Sequence, residues 1–242
     1  MKKLLFFCCA FLCSMQMFSQ NYQAEYAEFG SLNHGRASLL FNSQSWLYKM
    51  SYEDEIKISS DGNQMQQADD GNKFVIHRFN YYSLDGKYFL WEEKILTEKC
   101  VIKEKLEDLN WKIYNDSTKV IGGYNCILAQ CDLCGWDVKA WFTPDIPVSC
   151  GPWRLWGLPG LIVNAFSADG DIDIQMTSLK KTDLAPAQPD ISKYKVIAKS
   201  EYAALLEQNA QKMARIMNSR QDNREGTTTF SVKTILPDKC LR

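Results

Sequence analysis

Cys131-Asp-Leu-Cys134 is the one grouping in this 242-residue chain with obvious reactive potential. A C-x-x-C pair works as a redox centre when a helix N-terminus lowers the pKa of its attacking thiol. Here Gly135 and a strand-like run follow the pair, which places it at a β-hairpin tip without that help. The local pattern favours a structural disulfide, and a thiol–disulfide oxidoreductase using Cys131 and Cys134 is the alternative. A closed zinc site needs four suitable ligands. Cys126, Cys131, Cys134 and Cys150 lie near one another, but Cys126 and Cys131 project to opposite faces of one strand, so no metal site is expected. Haem attachment fails because glycine follows Cys134. Asp132 and Asp137 would face each other across the hairpin, as the acids of a glycosidase might, yet both flank an exposed tip. The two histidines, His34 and His77, read as a turn residue and a structural strand residue. Neither sits beside a nucleophile motif. Gly-x-Ser-x-Gly, His-Glu-x-x-His and phosphate-binding glycine loops are absent. No catalytic residue and no cofactor is expected, and the chain reads as a non-enzyme.

A second group of residues is suited to binding. Four of the seven prolines, Pro144, Pro147, Pro152 and Pro159, fall in one short stretch. Proline fixes φ and removes a backbone donor, so the stretch cannot be regular structure. It must be a stiff connection, and it is studded with Trp141, Trp153, Arg154, Trp156 and Leu158 as candidate binding residues. Tryptophan pairs of this kind stack on a ligand or a partner, or fold back as core. The expectation is a division of labour, with Leu158, Pro159 and Leu161 as plug and Trp153 and Trp156 partly exposed.

The run Gly157-Leu-Pro-Gly-Leu-Ile162, preceded by Lys119-Val-Ile-Gly-Gly-Tyr-Asn-Cys126 and Ala140-Trp-Phe-Thr-Pro-Asp-Ile-Pro147, resembles the GLPGLI family of exported bacterial envelope proteins. The three blocks keep the family's order over roughly residues 118 to 165. The hairpin tip departs from the pattern, with Cys131-Asp-Leu-Cys134 where polar or basic residues are usual. The resemblance implies a companion of outer-membrane receptors, with no defined activity.

The elements that position these groups follow a period of two. The hairpin Tyr124 to Thr143 is the best defined. With its turn at Cys134-Gly135, Leu133 faces Trp136, Cys131 faces Val138, Ala129 faces Ala140 and Ile127 faces Phe142. All eight are apolar and share one face, which pins the register. Further strands are expected over Arg36–Phe41, Ser45–Met50, Lys73–Tyr82, Lys87–Leu96, Val101–Leu106, Trp111–Tyr114, Leu161–Ala165 and Asp171–Thr177. Ser59 to Asn72 reads as a loop, and Val232 to Leu236 as a last strand. Thr182 to Ser192 is a proline-containing linker. Ser200 to Asn218 reads as a helix with Tyr202, Leu206, Met213 and Met217 on one stripe. The expected fold is β-rich α+β: a curved, half-barrel-like antiparallel sheet packed on the C-terminal amphipathic helix.

Residues 1–19 read as a signal peptide, with Lys2 and Lys3 before an apolar core too short to span a bilayer. Residues 20–242 then form a single domain. Removing the leader takes two lysines and shifts the net charge from −1 to −3. With no basic run, nucleic acid is not an expected partner. Of nine cysteines, Cys8, Cys9 and Cys13 leave with the leader. Cys100, Cys126, Cys131, Cys134, Cys150 and Cys240 remain as disulfide candidates, as suits an exported chain. The function expected is a periplasmic or envelope-associated binding or chaperone-like protein. Its partner would be an outer-membrane protein or a lipid-like hydrophobic ligand. A structural envelope protein is the third reading.

Overall fold

The computed structural model describes residues 20–31, 34–54, 74–95 and 98–221. The expected leader, the 59–72 loop, the 232–236 strand and Cys240 lie outside them. Twelve strands form one sheet. They are β1 (Tyr22–Phe29), β2 (His34–Phe41), β3 (Ser45–Asp54), β4 (Phe74–Ser83), β5 (Tyr88–Ile95), β6 (Glu98–Lys105), β7 (Lys112–Ile121), β8 (Tyr124–Leu133), β9 (Trp136–Thr143), β10 (Leu161–Ser167), β11 (Asp173–Lys181) and β12 (Lys195–Ala198). Among the described residues one helix, α1 (Lys199–Gln221), follows. The sheet order is β12-β6-β5-β4-β3-β2-β1-β11-β10-β9-β8-β7. Neighbours are antiparallel except β12 and β6, which run parallel.

Chain connectivity forces this sheet to curl. β6 and β7 stand ten places apart in the strand order, which on a flat sheet would be roughly 48 Å at the usual strand spacing. Only Leu106–Trp111 joins them, a reach of roughly 24 Å when fully extended. The two flanks must therefore turn toward each other.

Cross-strand pairing then stacks the core in rows. Tyr22, Phe41, Trp46, Tyr82 and Phe89 stand opposite one another on β1 to β5. Their rings stack at 5.4 Å for Tyr22–Phe41, 4.6 Å for Trp46–Tyr82 and 4.3 Å for Tyr82–Phe89. On the outer face, Ile191 and Tyr194 of the linker after β11 cover Leu47, Phe79, Tyr81, Leu90 and Val101.

The helix does not take the place expected of it. Among the described residues the fold is a large, mostly antiparallel sheet with one short helix, and not a sheet packed on a substantial helix. α1 begins directly after β12, the edge strand, and rests chiefly on β12 and β6. Tyr202 meets Trp91 edge-on at 5.0 Å, and Ala210 and Ala214 are buried, while much of the rest faces solvent. The connection between β9 and β10 fills the interior instead. It leaves and re-enters the sheet at adjacent strands, so its large side chains are delivered to the middle. α1 is anchored at the rim and turns Tyr202, Ala210 and Ala214 inward, with Leu205 and Leu206 packed against the core.

Candidate functional site

Residues 144–160 hold themselves together without regular structure. Tight backbone bonds run from Val148 N to Ile146 O (2.8 Å), Cys150 N to Val148 O (2.8 Å) and Leu155 N to Pro152 O (3.0 Å). Leu161 N and Ile162 N then donate to Ile146 O and Cys150 O, stitching the connection onto β10. The hexapeptide glycines have separate jobs. Gly157 adopts φ +93°, a region side chains resist, and a Cβ at Gly160 would lie 2.2 Å from the Thr143 carbonyl oxygen. Cys150, Leu155, Leu158, Leu161 and Ile162 are fully enclosed.

Trp153 belongs to this plug. Its side chain is 7 % exposed and meets Trp136 edge-on at 6.1 Å. Its backbone is left-handed, with φ 53°, an uncommon conformation for a bulky residue. Two inward side chains hold the carbonyl there: Tyr82 Oη donates at 2.7 Å and Asn80 Nδ2 at 3.2 Å. The expectation that Trp153 stays partly exposed is therefore corrected. Leu158, named among the binding candidates, is also interior, whereas Pro159 is exposed. Trp141 is half-buried on the other face of β9, with Lys119 Nζ 5.7 Å above its ring.

Arg154 and Trp156 alone of the five candidates reach a cavity, of about 510 Å³, at the rim of the curled sheet. Both flanks contribute to it. Tyr82, Phe89 and Glu104 come from one side, Asp132 to Cys134 at the β8–β9 tip from the other, with Leu106 to Asn110 between them. Lys105 and Lys199 complete the wall. Trp156 is half-buried, and its carbonyl accepts from Trp111 Nε1 at 2.7 Å. The Arg154 guanidinium lies 4.4 Å above the Trp91 ring, a favourable cation–π stack. Trp91 is itself fixed, because its Nε1 donates to Glu104 Oε1 at 2.7 Å. The other oxygen of Glu104 pairs with Lys199 Nζ at 3.1 Å. Glu104 is thus fully engaged, and Arg154 makes no hydrogen bond or ion pair with a described residue. The sequence reading missed Phe89, Glu104 and the 106–110 segment. The shortness of that segment was its only signal, and its meaning needs the strand order.

The β8–β9 hairpin pairs in the expected register throughout. Cys134 (φ 55°) and Gly135 (φ 88°) form its tip, as two-residue hairpin turns require. The cysteines do not behave as expected. Cys126, Cys131 and Cys150 are free, Cys100 is likewise in no disulfide, and all four are buried; no bridge joins two described cysteines. Cys134 is disulfide-bonded, so its partner is none of these four. Burial and then the charges of Asp132 and Asp137 push the Cys131 thiol up to about 12. Burial raises Cys150 and Cys126 as well. A thiol held protonated is a poor nucleophile. Asp132 accepts from Gly135 N at 2.8 Å, and Asp137 accepts from Gln130 Nε2. His34 opens β2 with an exposed side chain. Among the described residues no three His, Cys, Asp or Glu side chains are grouped to hold a metal, and no helix is long and apolar enough to cross a membrane.

These features define a curled antiparallel β-sheet protein, plugged by an irregular connection and notched at its rim. A family model described as "Protein of unknown function (Porph_ging)" matches residues 135–164, the second half of the hairpin with the plug. No curated protein matches the chain. The fold is similar to that of PNGF-II in two crystal forms. The P21 form gives a TM-score of 0.54 at 19 % identity over 77 % of this chain and 33 % of that one. The C2 form gives 0.51 at 20 % identity over 77 % and 32 %. The chain therefore spans about a third of PNGF-II, and the likeness is one of fold alone.

Proposed function

We propose that this is an exported, non-enzymatic binding protein of the GLPGLI type, which engages its client at the rim cavity. One observation carries the reading: Arg154 is oriented by a fixed indole, faces a cavity beside a half-buried tryptophan, and pairs with no anion among the described residues. A buried or half-buried charge is ordinarily paired, so an arginine left open in a cleft is suited to a ligand's carboxylate or backbone carbonyls. In the plug, Leu155, Leu158, Leu161 and Ile162 occupy interior space that a lipid chain would need. Of the two client types, this favours a segment of an outer-membrane protein over a hydrophobic small molecule. The thiol–disulfide oxidoreductase reading loses support, because Cys131 is buried and held protonated and is not bonded to Cys134. The filled interior favours the structural reading only if nothing occupies the rim. A photo-crosslinking residue at position 156, activated in intact envelope and followed by mass spectrometry, tests the proposal. A discrete protein adduct, lost in Arg154→Gln, is expected. A lipid adduct, or no adduct, would overturn it.

A further inference from the structure

The rim cavity carries charge of both signs, sorted by flank. Lys105, Lys199 and Arg154 stand on the β5–β6 side. Lys105 closes β6, Lys199 pairs with Glu104 of β6, and Arg154 lies over Trp91 of β5. Asp132 stands at the β8–β9 tip, and Glu107 and Asp108 come from the segment that leaves β6 for β7. The Glu104–Lys199 pair cancels itself. Three carboxylates, Glu107, Asp108 and Asp132, then remain against two cations, Arg154 and Lys105. None of these five is ion-paired with a described residue. Much of the other wall is apolar. Tyr82 stacks on Phe89 at 4.3 Å, and its hydroxyl is occupied by the Trp153 carbonyl, so it offers the cavity its ring. Trp156, Leu106 and Leu109 extend that surface.

We infer that the cavity takes a short peptide segment carrying charge of both signs. Its carboxylate meets Arg154, its basic side chain meets Glu107 and Asp108, and an apolar side chain lies on Tyr82, Phe89 and Trp156. This rests on the reading of the rim as the client site and adds the chemistry of the client.

Size and charge select this class. A cavity of about 510 Å³ suits a drug-sized ligand, which is a few residues of peptide and not a folded surface. A pure anion, such as a lipid phosphate, would gain Arg154 but enter a cavity where carboxylates outnumber the unpaired cations. A pure cation would leave the half-buried Arg154 without an anion. A mixed-charge segment satisfies both flanks, and the rings add contact for its apolar group.

Blocked peptides test the class, because their ends carry no charge. Acetyl-Lys-Gly-Phe-Gly-Asp-amide, and the same peptide with two glycines on each side of Phe, are titrated into the protein by calorimetry. At least one should bind. Replacing its Asp by Asn should weaken binding about tenfold, and replacing its Lys by Gln several-fold. In Arg154→Gln the first replacement should have no further effect. In the double variant Glu107→Gln, Asp108→Asn the second should have none, which assigns each peptide charge to its wall. Glu107 and Asp108 are exposed, so that variant keeps the fold, and Asp132 is left in place because it holds Gly135 N. Equal affinity for charged and neutralised peptides, or no binding at millimolar concentration, overturns the inference. A protein adduct at position 156 with equal peptide affinities would retain the client site and reject this chemistry. The charge-matched pattern without a protein adduct would retain the chemistry and reject the envelope client.

Discussion

The plug and the helix carry apolar groups of similar bulk, yet they end in opposite environments. Leu155 in the plug is 0 % exposed, whereas Ile216 in α1 is 38 % exposed. Helical periodicity made α1 look like the element that covers the sheet. The irregular, proline-rich connection looked like a surface feature. What decides burial is where each segment joins the sheet. A segment strung between two adjacent inner strands is delivered to the interior. A segment hung from the edge strand is held at the rim, whatever its amphipathic pattern.

Substitutions across these two regions should separate them sharply. Gly160→Ala drives a Cβ into the Thr143 backbone, which no side-chain rotation relieves. It should cost about 3 kcal/mol or more and lower the melting temperature by roughly 10 °C. Leu155→Ala should cost a similar amount, about 3 kcal/mol, through the cavity it leaves. Tyr82→Phe removes the hydroxyl that holds the Trp153 carbonyl, and chemical denaturation should register about 1 kcal/mol. Ile216→Ser in α1 should stay within about 0.5 kcal/mol. If Ile216→Ser proved as damaging as Leu155→Ala, the contrast between the regions would collapse.

A buried thiol on β8, in the sheet beside the plug, adds a pH signature to the comparison. Cys131 is held protonated, with its pKa pushed up to about 12, while a thiol in an unfolded chain ionises near pH 8.5. The folded state therefore keeps a proton that the unfolded state loses as pH rises above that value. The stability this thiol contributes is whole below about pH 8.5 and is lost progressively toward pH 12. Denaturation midpoints measured from pH 8 to 11 should fall, with a shallower slope in Cys131→Ala. Identical slopes would remove Cys131 as a contributor.

How much was legible in the sequence follows from which interactions are local. The β8–β9 hairpin could be paired residue by residue, because its two-residue turn fixes every pair that follows. β1 went unread, although it lies between β2 and β11 in the sheet. Its inward positions are Tyr22, Ala24, Tyr26 and Glu28, and a buried glutamate accepting from Tyr48 Oη breaks the apolar alternation. The ring row from Tyr22 to Phe89 was also hidden, since it exists only once five strands are in register. For the site, the aromatic connection pointed to Arg154 and Trp156. Glu104 and the 106–110 wall come from the opposite flank, which meets them only because the sheet curls. The division of the two tryptophans was half right, since Trp153 turned inward to satisfy its carbonyl.

That division is the account's central claim: two tryptophans three positions apart in one connection separate stability from binding. Trp153→Ala and Trp156→Ala, prepared side by side, test it most directly through melting temperature and capture of the crosslinked client. Trp153→Ala should destabilise by about 3–5 kcal/mol. Trp156→Ala should stay under about 1.5 kcal/mol and lose most of the capture. Equal loss of stability in both, with capture by the folded fraction of Trp156→Ala intact, would contradict the account and leave the whole connection a stability element.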